Sequence, residues 1–158
     1  MGDAMRVRIV VADEAEARFY DVEPPDPVLH AAGRLSEAQA RLHDRELVSD
    51  RPGRVFDHAP FGGGRRGAVA HHGTAGERRP HRHVEMLFAH RIGEALALAQ
   101  REGRFDRIVL MAEPGFLGVI RKELPSAVGS SVAAEVPKDL VHQTEEAVRA
   151  HLPADVMR

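Results

Sequence analysis

The chain has 158 residues, 43% of them hydrophobic, so its composition predicts one globular domain with a sizeable core. A formal net charge of −2 excludes a uniformly basic nucleic-acid-binding protein, and the lack of tryptophan with a single tyrosine argues against an aromatic platform for stacking bases. Because cysteine is absent, disulfides, thiolate metal sites and a cysteine nucleophile are excluded.

The N-terminal part of the chain predicts three strands in a meander. Residues 6–13 alternate as a strand, and the apolar residues at its end indicate burial on both faces. Residues 17–22 predict a second strand after a hairpin turn. Residues 28–35 predict a third, after the proline-rich turn at 23–27.

The next part of the chain has little regular pattern. Residues 36–47 predict a short helix, with Ser36 as its N-cap. Residues 48–79 are rich in glycine, arginine and histidine and show no usable periodicity. Such a length exceeds an ordinary connection, so we predict a loop that is functional or mobile.

The C-terminal half predicts alternating helices and strands. Residues 80–102 form the most strongly periodic helix, and residues 108–112 a strand buried on both faces. A helix between Pro114 and Pro125, a strand at 131–136 and a last helix capped by Thr144 complete the order. The order β-β-β-loop-α-β-α-β-α predicts a single α/β domain, a mixed sheet with flanking helices, and matches that of ribonuclease H-like folds.

Positive charge is concentrated in one part of the chain, residues 41–83, which we call the Arg-rich segment. It holds nine arginines against five acids, a net of +4, so the rest of the chain carries −6. Six histidines in the same segment would add positive charge below about pH 6.5. Within it, residues 42–54 (LHDRELVSDRPGR) allow two interpretations, an internally ion-paired loop or an arginine cluster that grips phosphate.

The phosphate interpretation extends to FGGGRRG at residues 61–67. This stretch lacks the Gly-Lys-Ser/Thr ending of a Walker motif, but consecutive glycines can present backbone N–H groups to an anion. A solvated loop is the alternative. The candidate binding residues are His43, Asp44, Arg45, Asp50, Arg51, Arg54, Gly63, Gly64, Arg65, Arg66, Lys138 and Asp139.

Acidic residues after the predicted strands allow an enzymatic hypothesis. Sites in parallel sheets gather beyond the carboxyl ends of strands, where the sequence places Asp13 and Glu113. With Glu85 or Glu94 from the long helix, they could hold Mg²⁺ for phosphodiester cleavage. The alternative is that these acids cap turns and helices. We expect a cofactor, Mg²⁺, only under the nuclease hypothesis, and no other.

Two histidine pairs, His71-His72 and His81 with His83, raise the question of a metal site. Zinc usually needs three or four converging ligands, and these histidines lie among glycines and arginines. We therefore expect solvated loop residues and no metal site.

Three stretches resemble, in the same order, motifs of the bacterial host-attachment protein family. They are ARLHDRELVSDRPGR at 40–54, FDRIVLMAEPGFLG at 105–118 and EVPKDLVH at 135–142, and the likeness spans about residues 6–152. That family is similar to the middle domain of archaeal and eukaryotic class-1 translation release factors. The resemblance implies a ribonuclease H-like fold without nuclease activity, acting through a mobile loop that carries Gly-Gly-Gln.

This loop departs from the release-factor pattern at one position. Gly63 and Gly64 match the two glycines, but Arg65 stands where glutamine is needed. Peptide release is therefore not expected, whereas contact with RNA is. Because no decoding domain fits in 158 residues, we do not expect a complete release factor.

The leading hypothesis is a non-catalytic module that binds RNA or a ribosomal surface, rather than DNA. The arginines expected to carry it are Arg45, Arg51, Arg54, Arg65 and Arg66. A metal-dependent phosphodiesterase and a protein-interaction module for attachment to host cells are the alternatives. The chain shows no signal-peptide pattern and no apolar run of membrane-spanning length, so we expect a cytoplasmic location and no membrane insertion.

Overall fold

Strand β1 (Val7–Ala12) runs through the middle of the domain, and all six of its residues are buried. The computed structural model describes residues 4–38 and 75–158, with the side chains of 75–80 left out. A strand buried along its whole length needs a layer on each face of its sheet. The predicted strand at 6–13 and its burial on both faces are thus confirmed.

Four further strands complete a five-stranded mixed sheet in the order β3-β2-β1-β4-β5. Strand β2 (Glu16–Val22) pairs antiparallel with β1, and β3 (His30–Ser36) pairs antiparallel with β2. Strand β4 (Arg107–Met111) lies parallel to β1, and β5 (Val132–Val136) lies parallel to β4. The carboxyl ends of β1, β4 and β5 therefore meet at one edge of the sheet, where a site is expected.

Helices cover the sheet and confirm the predicted α/β class, a mixed sheet with flanking helices. They are α1 (Ala75–Arg101), α2 (Pro114–Glu123), the four-residue α3 (Ser126–Gly129) and α4 (Glu145–Ala150). The short α3 is an addition to the predicted order. The ribonuclease H-like assignment stays a prediction.

The alternation of β1 divides the core into two apolar clusters. Val10 and Ala12 face one cluster, in which the rings of Phe88 from α1 and Phe116 from α2 stack with centroids 6.2 Å apart. The other face of β1 packs against the C-terminal part of the chain, including Leu140, Val141, Val148 and Val156. Because both clusters depend on β1, its register fixes the positions of the helices on either side.

The boundaries of α1 and of the preceding helix differ from the sequence-based expectation. Helix α1 begins at Ala75, so the predicted loop at 48–79 is wrong over its last five residues. Proline lacks the N–H for an i−4 hydrogen bond and usually marks a first turn, which is why the sequence placed the start at Pro80. Residues 37 and 38 are helical, and the rest of the helix predicted at 36–47 lies outside the described residues.

Replacement of a core residue of α1 should destabilise the domain far more than replacement of an exposed one. Ile92→Ala removes a fully buried side chain and should lower the free energy of unfolding by about 2–5 kcal/mol. Leu98→Ala, at a position 52% exposed on the same helix, should cost under about 0.5 kcal/mol. Urea denaturation of both variants checks this, and equal losses would contradict the described packing.

Glu16 should make stability depend on pH in the acidic range. A hydrogen bond from Arg34 is the main cause that lowers the pKa of Glu16, with a smaller contribution from Arg18. A carboxyl group whose pKa is lower in the folded state stabilises the fold above its unfolded pKa, and this stabilisation is lost as pH falls below about 4.3. Denaturation between pH 6 and pH 3 should therefore show the difference between the wild type and Glu16→Gln shrinking on acidification. A difference that stays constant would contradict the pairing.

Candidate functional site

Asp13 closes the turn between β1 and β2. Its Oδ1 accepts hydrogen bonds from the backbone N–H of Ala15 at 2.8 Å and of Glu16 at 2.7 Å. Its Oδ2 lies 3.3 Å from Nε2 of His142. Both carboxylate oxygens thus have partners within the protein, as the capping interpretation of this residue requires.

Glu113 follows β4 and occupies the N-cap position of α2, directly before Pro114. Its side chain makes no capping hydrogen bond. Instead, its Oε1 lies over the first turn, 2.8 Å from where a Cβ at Gly115 would be. The partial positive charge at the start of a helix stabilises a carboxylate in this place.

Lys138 and Asp139 follow β5, and their side chains take different directions. Asp139 lines a cavity at the carboxyl edge of the sheet. Lys138 Nζ lies 3.3 Å from Nε2 of His151, beyond the end of α4. Both residues were predicted to belong to the same binding site, but the structure places their side chains apart.

The cavity at this edge, which we call the acidic cavity, measures about 310 Å³. It brings together three residues singled out from the sequence, Asp13, Glu113 and Asp139, and its wall also contains Glu14, Ala15 and Phe116. Asp13, Glu113 and Asp139 do not form a compact ligand set. Within 4–38 and 81–158, the group whose ligand atoms all lie within 4.8 Å of one another is Glu14, His81 and Glu85.

This group, the Glu-His-Glu cluster, joins the β1–β2 turn to the first turns of α1. Nε2 of His81 lies 3.1 Å from Glu14 Oε2 and 3.0 Å from Glu85 Oε1. Burial is the main cause that raises the pKa of Glu14, and the hydrogen bond and negative charge of Glu85 raise it further, whereas His81 lowers it. A second cavity, of about 470 Å³, lies beside Glu14 and Glu85.

The Glu-His-Glu cluster was missed because His81 and His83 were interpreted as solvated loop residues, although the helix predicted at 80–102 contains both. The loop interpretation is wrong and the helix is correct, since both histidines lie in α1. On a helix, residues four apart are neighbours, so the spacing of His81 and Glu85 was a signal that could have been read. Glu94, the other candidate acid of this helix, contacts His90 and Arg91 instead.

The remaining candidate residues lie outside the described part of the chain. The described residues that flank this gap both approach the β1–β2 turn. The backbone N–H of Glu37 donates to Ala15 O at 2.7 Å, and His81 contacts Glu14. The residues outside the described ranges are His43, Asp44, Arg45, Asp50, Arg51, Arg54, Gly63, Gly64, Arg65, Arg66, His71 and His72.

Fold and site together define a single-domain α/β protein with an acidic cavity at the carboxyl edge of a mixed sheet. Residues 8–152 match the family described as "Protein required for attachment to host cells", and the chain belongs to this family. The resemblance read from the sequence motifs is thereby confirmed, whereas the further likeness to a release-factor middle domain stays a prediction.

No curated protein matches the chain in sequence. A solved structure described as "Archaeal protein" is 12% identical, with a TM-score of 0.44, over 95% of this chain and 36% of that one. The chain thus spans about a third of that protein's length.

No helix in residues 75–158 is both long enough and apolar enough to cross a membrane.

Two substitutions of Asp13 should separate a structural role from a chemical one. Asp13→Ala removes the acceptor of two backbone hydrogen bonds and should lower the free energy of unfolding by about 1–2 kcal/mol. Asp13→Asn keeps an oxygen acceptor and should cost under about 1 kcal/mol. Thermal and urea denaturation measure both, and a loss with Asn as large as with Ala would contradict the capping role.

Proposed function

We propose that this protein is a non-catalytic module that binds RNA, with the ribosome as its principal RNA surface, through the Arg-rich segment. The supporting observation is that net positive charge is concentrated in this segment, and that the described residues on either side of residues 39–74, Glu37 and His81, both contact the β1–β2 turn. Its cytoplasmic location is part of the same proposal. Residues outside the described ranges carry most of the proposed contacts.

Charge explains why the contacts are assigned to arginines rather than to the acidic cavity. The cavity wall holds Asp13, Glu14, Glu113 and Asp139, which repel phosphate at neutral pH. Arg51, by contrast, belongs to a segment with a net charge of +4 in a chain of −2. Guanidinium groups bind phosphate through paired hydrogen bonds, so the arginines supply affinity without a catalytic group.

The hydrogen bonds of Asp13 support the non-catalytic part of the proposal. A two-metal phosphodiesterase needs several carboxylates with oxygens free to bind ions. Both oxygens of Asp13 already contact the turn or His142. A metal ion at Oδ1 would compete with the hydrogen bonds of the turn, and one at Oδ2 would displace the contact with His142.

A metal-dependent phosphodiesterase is the second candidate, because Asp13, Glu113 and Asp139 line one cavity. In this case Mn²⁺ or Mg²⁺ should induce cleavage of labelled RNA, and Asp13→Asn should abolish turnover while leaving the fold intact. Absence of metal-dependent cleavage at micromolar protein would exclude this candidate.

The family description provides a third candidate, a protein that interacts with other proteins in attachment to host cells. Under our proposal, any contribution to attachment would be indirect and would act through RNA or the ribosome. The two differ in the role of Arg51 and Arg54, since a protein contact elsewhere on the domain would not need them.

Replacement of two arginines should weaken RNA binding and its dependence on salt. If each of Arg51 and Arg54 contacts a phosphate, the double variant Arg51→Ala/Arg54→Ala should reduce the slope of log affinity against log salt by about 1.5. Affinity in 0.1 M salt should fall roughly thirtyfold. Fluorescence anisotropy with a labelled RNA, repeated over a salt series, measures both quantities.

Arg101→Ala/Arg149→Ala is the matched control, because it removes the same charge from exposed positions outside the Arg-rich segment. It should leave the slope unchanged. If both double variants weaken binding equally, overall charge rather than the Arg-rich segment carries the affinity, and the proposed surface is wrong. If neither variant nor the wild type binds RNA at low salt, the proposed function is wrong.

A further inference from the structure

We propose that Glu14, His81 and Glu85 bind a divalent first-row transition-metal ion of the Zn²⁺ class, which links the β1–β2 turn to the start of α1. The inference is independent of RNA binding, since it uses only residues in the described part of the chain. It also departs from the sequence-based expectation of no metal site, because no local pattern brings Glu14 to the two residues of α1.

The distances within the Glu-His-Glu cluster fit ligands that share one ion. Metal–ligand bonds of about 2.0–2.2 Å at tetrahedral or octahedral angles place neighbouring ligand atoms roughly 2.8–3.6 Å apart. The two separations from His81 Nε2 are 3.1 Å to Glu14 and 3.0 Å to Glu85, and all three ligand atoms lie within 4.8 Å of one another. The group can therefore converge on one ion with little rearrangement.

A hydrogen bond from His81 can satisfy only one of the two carboxylates. The Nε2 atom of His81 carries at most one proton, so it can donate one well-aligned hydrogen bond. Two carboxylate oxygens approach that same nitrogen at nearly equal distance. An ion held by the nitrogen lone pair and one oxygen from each carboxylate would satisfy all three groups at once.

The charge of the cluster also favours a cation. The side chain of Glu85 is only 15% exposed, and Glu14 lies beside it. Both carboxylates approach the same nitrogen of His81, so their negative charges lie close together and a cation between them is favourable. A divalent ion neutralises both, whereas a protonated His81 balances only one.

Ligand chemistry indicates the class of ion. Imidazole nitrogen suits Zn²⁺ and its neighbours in the first transition row, whereas Mg²⁺ and Ca²⁺ prefer oxygen alone. Three protein ligands are the number found where zinc keeps an open coordination position. The cavity of about 470 Å³ beside Glu14 and Glu85 has room for water to complete the coordination.

A second histidine of α1, His90, also contacts two glutamates, Glu94 of α1 and Glu123 of α2, but in a different geometry. Nε2 of His90 lies 3.1 Å from Glu94, but it is the other ring nitrogen, Nδ1, that lies 3.7 Å from Glu123. The two nitrogens of an imidazole point in different directions, so these carboxylates cannot share one ion with the ring. His90 is thus a natural control.

The test is a titration of the full chain with Zn²⁺, after treatment with a chelator, by isothermal calorimetry. We expect one site that a hundredfold excess of Mg²⁺ does not displace. His81→Gln and Glu85→Gln should each weaken it at least tenfold, whereas His83→Gln and His90→Gln should not. Titration with Co²⁺ should give a visible absorption band that is lost in His81→Gln and kept in His83→Gln and His90→Gln.

Several results would overturn the proposal. They are absence of Zn²⁺ binding, displacement by Mg²⁺, and a site of equal affinity in His81→Gln, which would place the metal at other histidines. Circular dichroism in the presence of chelator checks that each variant folds. If Glu85→Gln does not fold, Glu14→Gln at the more exposed carboxylate replaces it and should show the same tenfold loss.

Discussion

The burial of β1 on both faces is the constraint on which the rest of the structure depends. Its alternate residues enter two separate apolar clusters, and its two neighbours run in opposite directions, β2 antiparallel and β4 parallel. Because the strand ends at Ala12, Asp13 and Glu14 lie at the edge where β4 and β5 also end. The acidic cavity and the Glu-His-Glu cluster thus both follow from the register of one strand.

Apolar patterning and turn residues were sufficient to predict all five strands and the long helix, although only some of these elements bury a face. Strands β1, β2 and β4 and helix α1 contribute buried residues to the core, whereas β3 is largely exposed and was predicted from the proline-rich turn before it. Patterning failed where a feature depends on contacts between distant parts of the chain. Pro80 lies inside α1 rather than at its start, and packing of the apolar face further along the helix compensates for the missing hydrogen bond. The proximity of Glu14 and His81 could not be predicted, because it arises only when α1 crosses the β1–β2 turn.

The acidic cavity and the Arg-rich segment have opposite charge, and the described residues on either side of residues 39–74, Glu37 and His81, both contact the β1–β2 turn. The carboxylates of the acidic cavity would repel an RNA backbone that approached closely. A metal ion in the Glu-His-Glu cluster would reduce that repulsion beside the described flanks of the Arg-rich segment, and would also fix the first turns of α1. The arginines would then supply the affinity for phosphate, whereas the metal ligands would hold the first turns of α1 in place.

The central claim, that the protein binds a ribosomal RNA surface through charge, is tested most directly by co-sedimentation of the full chain with bacterial ribosomes at low and high salt. The account predicts that the protein pellets with ribosomes at low salt and is released steeply as salt rises, because released counterions drive the association. Protein that stays in the supernatant at low salt, or that pellets equally at all salt concentrations, would contradict it.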